Sequence, residues 1–428
     1  MFFFYRCIVI FLFPIIVLLV LLRVLLNKED KKRFKEKLFS SSFNFKKNSE
    51  KDLIWFHVAS IGELKSISAL LKNLSKKDNY EILVTTVTLS SSELFKKEFI
   101  NEKNIKHRFF PIDKPSLVKN FLNNWSPSKI IFVDSEIWPN FLFEINKRNI
   151  PLILLNGRIT EKTFMRWNLF PTLAKQVFKT FDLCLASSNE SKKFLDKLSA
   201  KNVKYFGNLK LTVEDELNSR KDNNQKLLSK KQVWCGASIH KGEEVFCIKT
   251  HLNLKKNLHQ IMTILIPRHT DSVKNIKLTA EKFNLNFQIL SAGDQIDMSK
   301  EIIIINSYGE ISNYLTLCRS VFMGKSMIKK LENVGGQNPI EAARLGCKIY
   351  HGPFIYNFQE IYELFNNYNI SEKINDENEL SKKLIFDFNT EFKNKNEKIQ
   401  TIKNLGAKIL NDTLKELNNV KKYENKQT

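Results

Sequence analysis

The chain of 428 residues carries only six cysteines, at positions 7, 184, 235, 247, 318 and 347, and no two form a C-x-x-C pair. No His/Cys cluster has zinc-ligand spacing, which argues against a structural zinc site and leaves the thiols as small buried residues of a reducing compartment. H-E-x-x-H, G-x-S-x-G and Walker A patterns are missing as well, so the sequence offers no zincin, serine-hydrolase or P-loop signature. No short-period internal repeat is visible. Acidic residues are in short supply: 45 Asp and Glu face 68 Lys and Arg, a formal charge of +23. Such a surplus calls for an anionic partner, whether nucleic acid, an anionic membrane or a phosphorylated substrate. The lysines are spread along the chain rather than gathered in one arm. Clustered aromatic–basic motifs of the RNP or OB kind are absent, which disfavours nucleic acid.

What is present bounds the architecture. The length fits two domains of ordinary size, and 43% hydrophobic residues can bury substantial cores. Phe2 to Leu26 is almost wholly apolar, interrupted by Arg6 and Arg23 near its ends and by Pro14. As a helix this stretch is about 37 Å long, enough to span a bilayer, with both arginines able to snorkel. No small-x-small cleavage site follows, as a signal peptide would require. Instead come Lys28, Lys31, Lys32, Arg33, Lys35 and Lys37. By the positive-inside rule that flank is cytoplasmic. The expectation is therefore a single-pass anchor over 1–27 and a basic juxtamembrane linker over 28–52, with the rest of the chain in the cytoplasm.

Beyond it, short β-rich runs alternate with helical stretches such as Glu63–Lys77 and Ser116–Asn123. Strands are expected at Leu53–Val58, Glu81–Val87, Lys129–Asp134, Pro151–Asn156, Asp182–Ala186 and Val203–Phe206. Continuous apolar runs such as IIFV and LILL suit a parallel sheet covered on both faces. Leu211 to Lys231 is polar and reads as an interdomain linker. A second series follows at Val233–Gly236, Ile261–Pro267, Phe287–Leu290, Ile302–Asn306, Val321–Gly324 and Lys348–Tyr350. The expected fold is α/β, with two Rossmann-like domains, 53–220 and 221–428, facing across a cleft. The tail from about Ser371 reads as helical.

The chemistry-bearing residues fall at the ends of these strands, where open α/β sheets bind ligands. Glu63 follows Gly62 and opens a helix; it either caps that helix or serves as a general base. Asp134 and Glu136 end a buried strand just before Trp138-Pro139. Arg158, in NGRIT, either binds an anion or pairs with a neighbouring acid. In the second half, the turn of WCGASIHKGEE offers backbone N–H groups to a phosphate, and Arg268 of ILIPRH has the fork for one. GGQNPIEAARLG has a double-glycine loop, Pro339 near the first helical position and Glu341 in the first turn, an arrangement suited to phosphate and ribose. SYGEISNYL (307–315) again follows a strand, and four such turns in one domain favour nucleotide binding.

Taken in order and spacing, HVASIGE, DSEIWPN, NGRIT, GNLKLT, ASIHKGE, PRH, YGE, GGQNPIEAA and HGPFIYNF resemble the Kdo (3-deoxy-D-manno-octulosonic acid) transferases of glycosyltransferase family 30, over nearly the full chain. The resemblance implies a GT-B fold and transfer of Kdo from CMP-Kdo to the lipid A precursor lipid IVA, in lipopolysaccharide core synthesis at the bacterial inner membrane. It implies Glu63 as the base that deprotonates the acceptor, Asp134 and Glu136 as further acids, and Lys210 as a transition-state cation. Pro267-Arg268, Tyr308-Gly309-Glu310 and Asn338-Pro339-Ile340-Glu341 would hold CMP. The 53–220 domain would take the acceptor and the 221–428 domain the donor. Partners would be CMP-Kdo, lipid IVA and anionic inner-membrane lipids, not nucleic acid. No cofactor or metal is implied: there is no D-x-D motif, and a CMP-sugar has a single phosphate. The sequence departs from the family pattern at Asp134 (usually Glu), Lys325 (usually Gly), Gln337 (commonly His) and in a longer 327–334 loop. The alternative is another membrane-anchored GT-B transferase with a different nucleotide sugar.

Overall fold

The computed structural model describes residues 2–39, 51–213, 231–291, 293–307, 311–390 and 395–420. The chain divides into two compact units, Met1–Asp215 with Leu405–Thr428, and Glu216–Asn404.

The first unit is built on seven strands: β1 (Asp52–His57), β2 (Tyr80–Thr86), β3 (Ile105–Phe109), β4 (Lys129–Val133), β5 (Leu152–Gly157), β6 (Leu183–Ala186) and β7 (Val203–Lys204). They lie in the order β3-β2-β1-β4-β5-β6-β7. Each neighbouring pair is parallel, with Trp55 opposite Leu83 on one side and Ile130 on the other. The central strands are buried along nearly their whole length, as helices on both faces of a parallel sheet require. Trp55 is the centre of an aromatic core, its ring 4.8–6.1 Å from those of Phe110, Phe121, Phe132 and Phe141. β3 was absent from the sequence expectation. Its Lys106-His107-Arg108 run breaks the apolar signal, and as an edge strand it needs only part of its surface apolar.

The second unit repeats the design with β8 (Gln232–Ile239), β9 (Ile261–Pro267), β10 (Phe287–Leu290), β11 (Ile302–Ile305), β12 (Ser320–Met323), β13 (Lys348–His351) and β14 (Ser371–Lys373), in the order β10-β11-β9-β8-β12-β13-β14. All pairs are again parallel. β14, a three-residue edge strand, replaces the start of the expected helical tail; helices Glu377–Asn389 and Lys395–Asn419 follow it.

Two boundaries differ from the expected ones. Leu405–Thr428 belongs to the first unit, not the second. There Gly406 packs so tightly that a Cβ would stand 2.5 Å from the Leu211 carbonyl, and Lys129 Nζ donates to the Leu417 carbonyl at 2.5 Å. Residues 28–39, expected to be linker, are instead packed on the first unit. Glu36, Lys37 and Leu38 are buried. Glu36 accepts the Phe109 N–H at 2.8 Å, and Lys37 Nζ reaches Glu29 at 2.6 Å and the Val87 carbonyl at 2.8 Å. These pairings satisfy charges that would otherwise be costly to bury. Residues 40–50 and most of the expected interdomain linker, 214–230, lie outside the described residues.

Candidate active site

Both sheets reverse winding direction once. In the first unit the reversal falls between β1 and β4, and it leaves a crevice at the carboxyl ends of those two strands. Glu63 lies beyond β1; Asp134 and Glu136 lie beyond β4. The topology thus brings the three expected carboxylates to one place.

Glu63 sits in the first turn of the helix Ile61–Ser75 in a reciprocal cap. Ser60 Oγ accepts the Glu63 N–H at 3.3 Å, while the Glu63 carboxylate accepts the Ala59 N–H at 2.7 Å and the Ser60 hydroxyl at 2.8 Å. Capping and an unusual acidity coexist in one side chain. Burial, joined by the nearby charges of Asp134 and Glu136, outweighs the two hydrogen bonds and pushes Glu63 up to about 7.

Glu136 goes the other way. Burial pushes it up, but the hydrogen bond and charge of His57 and the Trp138 N–H more than reverse this, and it ends below the usual carboxylate range. His57 Nε2 lies 3.0 Å from Glu136 Oε2, and Trp138 Nε1–H donates to the same oxygen at 2.8 Å. The carboxylate offers only lone pairs, so Nε2 carries the proton. The ring is fully buried, stacked 3.7 Å from Phe110, with Nδ1 3.0 Å from Thr85 Oγ1. Sequence reasoning passed over His57; its only signal was a polar residue at the end of an otherwise apolar strand.

Asp134 has a left-handed backbone, φ 63°, a conformation Asp tolerates better than most residues. Its N–H donates to the Leu155 carbonyl, its carbonyl accepts the Arg158 N–H, and Ser135 Oγ donates to its carboxylate. NGRIT is thereby tied to the β4 end through its backbone. Asn156 Oδ1 accepts the Leu209 N–H at 3.1 Å and Asn208 Oδ1 accepts the Lys210 N–H at 3.0 Å. Thr212 Oγ1 reaches the Ser66 carbonyl, so the short 3₁₀ turn Leu209–Thr212 that carries Lys210 packs on the Glu63 helix.

In the second unit the reversal lies between β8 and β12. The amides expected to receive a phosphate in the β8 turn are already taken, which corrects that reading. Buried Glu243 accepts the N–H groups of His240, Lys325, Ser326 and Met327 at 2.7–3.0 Å, and Glu244 accepts that of Gly242 at 2.6 Å. A carboxylate of the protein thus fills the anion-binding concavity between the β8 and β12 ends. What remains open is cationic. Exposed Arg268 follows β9 and donates its N–H to the Ile239 carbonyl. Burial, with the charges of Lys325, His269 and Arg268, lowers His240 to about 4. Lys325 occupies a left-handed position, φ 60°. The double-glycine loop is braced against it: the Gly336 N–H donates to the Lys325 carbonyl at 2.7 Å, and a Cβ on Gly335 would run into the Phe354 carbonyl. Gln337 Nε2 lies 2.9 Å from His240 Nε2. Asn338 Oδ1 accepts the Ile340 N–H beside Pro339, and the helix beginning there, Ile340–Arg344, is only five residues long. Glu341 accepts the Ser312 hydroxyl. Pro267 ends β9. Tyr308, Gly309 and Glu310 lie outside the described residues.

Residues 32–213 match the family model for 3-deoxy-D-manno-octulosonic-acid transferase (kdotransferase). The chain is 31% identical to the 3-deoxy-D-manno-octulosonic acid transferase of Rickettsia bellii, covering 80% of each protein. Among solved structures it is similar to a putative UDP-N-acetylglucosamine 2-epimerase from Listeria monocytogenes (TM-score 0.58, 12% identity, 88% of this chain and 100% of that one). It is also similar to a glycosyltransferase from Rickettsia africae (TM-score 0.56, 13% identity, 86% and 98%). At such identities the likeness shows the fold, the GT-B type with two tandem Rossmann-like domains.

Proposed function

Because the chain belongs to the 3-deoxy-D-manno-octulosonic acid transferase family, we propose that it moves Kdo from CMP-Kdo to lipid IVA with inversion, at the cytoplasmic face of a bacterial inner membrane. The observation that carries the mechanistic reading is the division of labour among the switch-point carboxylates: Glu63 is held near 7 while Glu136, beside it, stays ionised. A general base works best when its pKa lies near the operating pH. Glu63 takes the proton of the acceptor hydroxyl as that oxygen attacks the anomeric carbon. Glu136, fixed by His57 and Trp138, and Asp134 keep the site anionic, which sustains the basicity of Glu63 and favours the oxocarbenium-like positive charge that develops on the sugar. Lys210 supplies a compensating cation.

In the second unit Arg268 and Lys325 meet the charge that gathers on the CMP phosphate as it departs. Asn338 and Glu341 orient the nucleotide, with Glu341 accepting from hydroxyls; Pro267, Pro339 and Ile340 shape the pocket. Tyr308, Gly309 and Glu310 complete the donor set. The +23 charge suits a phosphorylated glycolipid in an anionic bilayer. The N-terminal helix, long and apolar enough to cross a membrane by length and composition, attaches the enzyme there.

Incubation of the purified full chain with CMP-Kdo and lipid IVA tests this reading, with products read by mass. Addition of one or more Kdo masses is expected. Unmodified lipid IVA, under conditions where a known Kdo transferase converts it, overturns the assignment.

A further inference from the structure

The N-terminal helix, Phe2–Leu25, is apolar enough to span a bilayer, yet it is attached to the first unit at both ends. At its start Tyr5 Oη donates to Asp113 at 2.8 Å, and Arg6 reaches Asn140 at 3.2 Å and Glu144 at 3.4 Å. Midway, Lys114 Nζ stands 3.9 Å from the centre of the Phe13 ring. At its end Arg23 pairs with Glu29, which pairs with Lys37, whose ammonium also holds the Val87 carbonyl. Tyr5 and Arg23 are about 27 Å apart along a helix. A helix perpendicular to a membrane would carry its first turn some 30 Å from the side on which its domain sits. Here the first turn touches the domain.

Burial along the helix has the period of one face. Tyr5, Val9, Phe13, Ile16, Val20 and Val24 are half-buried or buried, at spacings of three and four. On the opposite face Phe4, Phe11, Leu18 and Leu25, seven apart, are 69, 81, 57 and 77% exposed. A helix lying in a membrane interface needs one apolar face for lipid and one face otherwise satisfied. In this chain the protein itself satisfies the second face. Lys28, Lys31, Lys32 and Lys35 follow directly and complement anionic headgroups.

We propose that this helix lies flat in the cytoplasmic leaflet, clamped along the first unit, rather than crossing the bilayer, and that its partner is an anionic lipid surface. Its direct contacts fall after β3 (Asp113) and β4 (Asn140), and the Arg23–Glu29–Lys37 chain at its end reaches the residue after β2 (Val87). That is the carboxyl edge of the sheet, which also bears Glu63 and Glu136. The helix therefore sets the carboxylate crevice at the depth of lipid headgroups, where the sugars of a glycolipid acceptor lie. This inference rests on the membrane attachment in the proposed function, and its test separates the two.

The test uses the full chain with Cys7, the exposed thiol, changed to Ser; the other five cysteines are buried. Single nitroxide labels are placed at 4, 8, 11, 15, 18 and 22, and at 5, 9 and 13. The protein is bound to vesicles of phosphatidylcholine with 30% phosphatidylglycerol (roughly the anionic content of a charged leaflet). Relaxation by oxygen and by a water-soluble nickel chelate gives the depth of each label. The flat helix gives one shallow depth at all six outward positions and shielding from both reagents at 5, 9 and 13, a profile repeating about every 3.6 residues. A bell-shaped depth profile peaking near the middle of the helix overturns the flat orientation but leaves attachment standing. Failure of the protein to float with vesicles overturns both. In spheroplasts a protease-cleavable tag before Met1 is expected to stay intact; its cleavage from outside the cell overturns the proposal independently.

Discussion

The imidazole Nε2 of His57 stands 3.0 Å from Glu136 Oε2, a buried hydrogen bond that keeps one carboxylate ionised beside another that is nearly half-protonated at neutral pH. Because the Glu136 charge helps to raise Glu63, Glu136→Gln is expected to move the acid limb of the transfer rate profile to lower pH by a few tenths of a unit (about 0.5 kcal/mol or less). The plateau should change little. A pH profile of kcat/KM checks this; a plateau loss of 10²-fold or more would transfer the base role to Glu136. His57→Phe should move the limb in the same direction, since Glu136 loses its partner, and should cost about 1–3 kcal/mol of stability.

Glu63→Gln keeps the size and most of the cap but cannot take a proton. Transfer should fall by roughly 10²–10⁴-fold, while CMP affinity, measured by calorimetry, stays within about twofold because the donor residues belong to the other unit. The same substitution carries a stability signature. The Glu63 carboxyl is raised from its ordinary 4.5 to about 7 in the fold, so the folded state holds its proton more tightly than the unfolded one. The contribution is fully present below about 4.5 and is lost as pH rises through about 7. The wild type should lose stability across that window, by on the order of 3 kcal/mol before solvent screening reduces it. Glu63→Gln should flatten that slope. Thermal melts of both proteins at pH 4.5, 6 and 8 measure the difference; parallel slopes would contradict the raised acidity.

Donor choice shows in ligand protection. At a hundred times its Kd, CMP should stabilise the protein by about 2.7 kcal/mol, and UDP or ADP at the same concentration should do clearly less. Arg268→Ala should weaken CMP by roughly 10- to 100-fold, the usual worth of a charge-assisted hydrogen bond. Equal melting shifts from all three nucleotides, or an unaltered CMP affinity in Arg268→Ala, would count against the donor set described here.

Lys325 stands in a left-handed position that glycine adopts freely. Lys325→Gly should relieve a conformational cost of about 1–2 kcal/mol and raise the melting temperature, less whatever glycine adds to the freedom of the unfolded chain. It also removes one of the cations near His240, so His240 should titrate higher and CMP should bind several-fold more weakly. NMR titration of His240 together with calorimetry reads both. Unchanged CMP affinity would show that this cation serves the loop alone.

The sequence by itself determined the architecture and singled out the candidate site residues. Buried runs such as Ile130–Val133 and Leu152–Leu155 are apolar at every position, and only a parallel sheet covered on both faces accommodates that. Polar residues directly after such runs mark strand ends, which is why Glu63, Asp134, Glu136, Arg268 and Glu341 could be picked out one by one. The edge strands β3 and β14 escaped notice because one uncovered side relaxes the demand for apolar residues. Tertiary structure alone decided the rest, since it depends on what stands next to what. Glu63 is pushed up to about 7 by burial in the fold and by Asp134 and Glu136, which strand order sets beside it although they are 71 and 73 positions away. His57 matters only because β1 and β4 are neighbours. Glu243 fills an anion site that sequence had left open for phosphate, because β8 and β12 end side by side. The apolar length of Phe2–Leu25 shows affinity for lipid; its tilt follows from Asp113, Asn140 and Glu144, residues more than a hundred positions away that no local pattern connects to it.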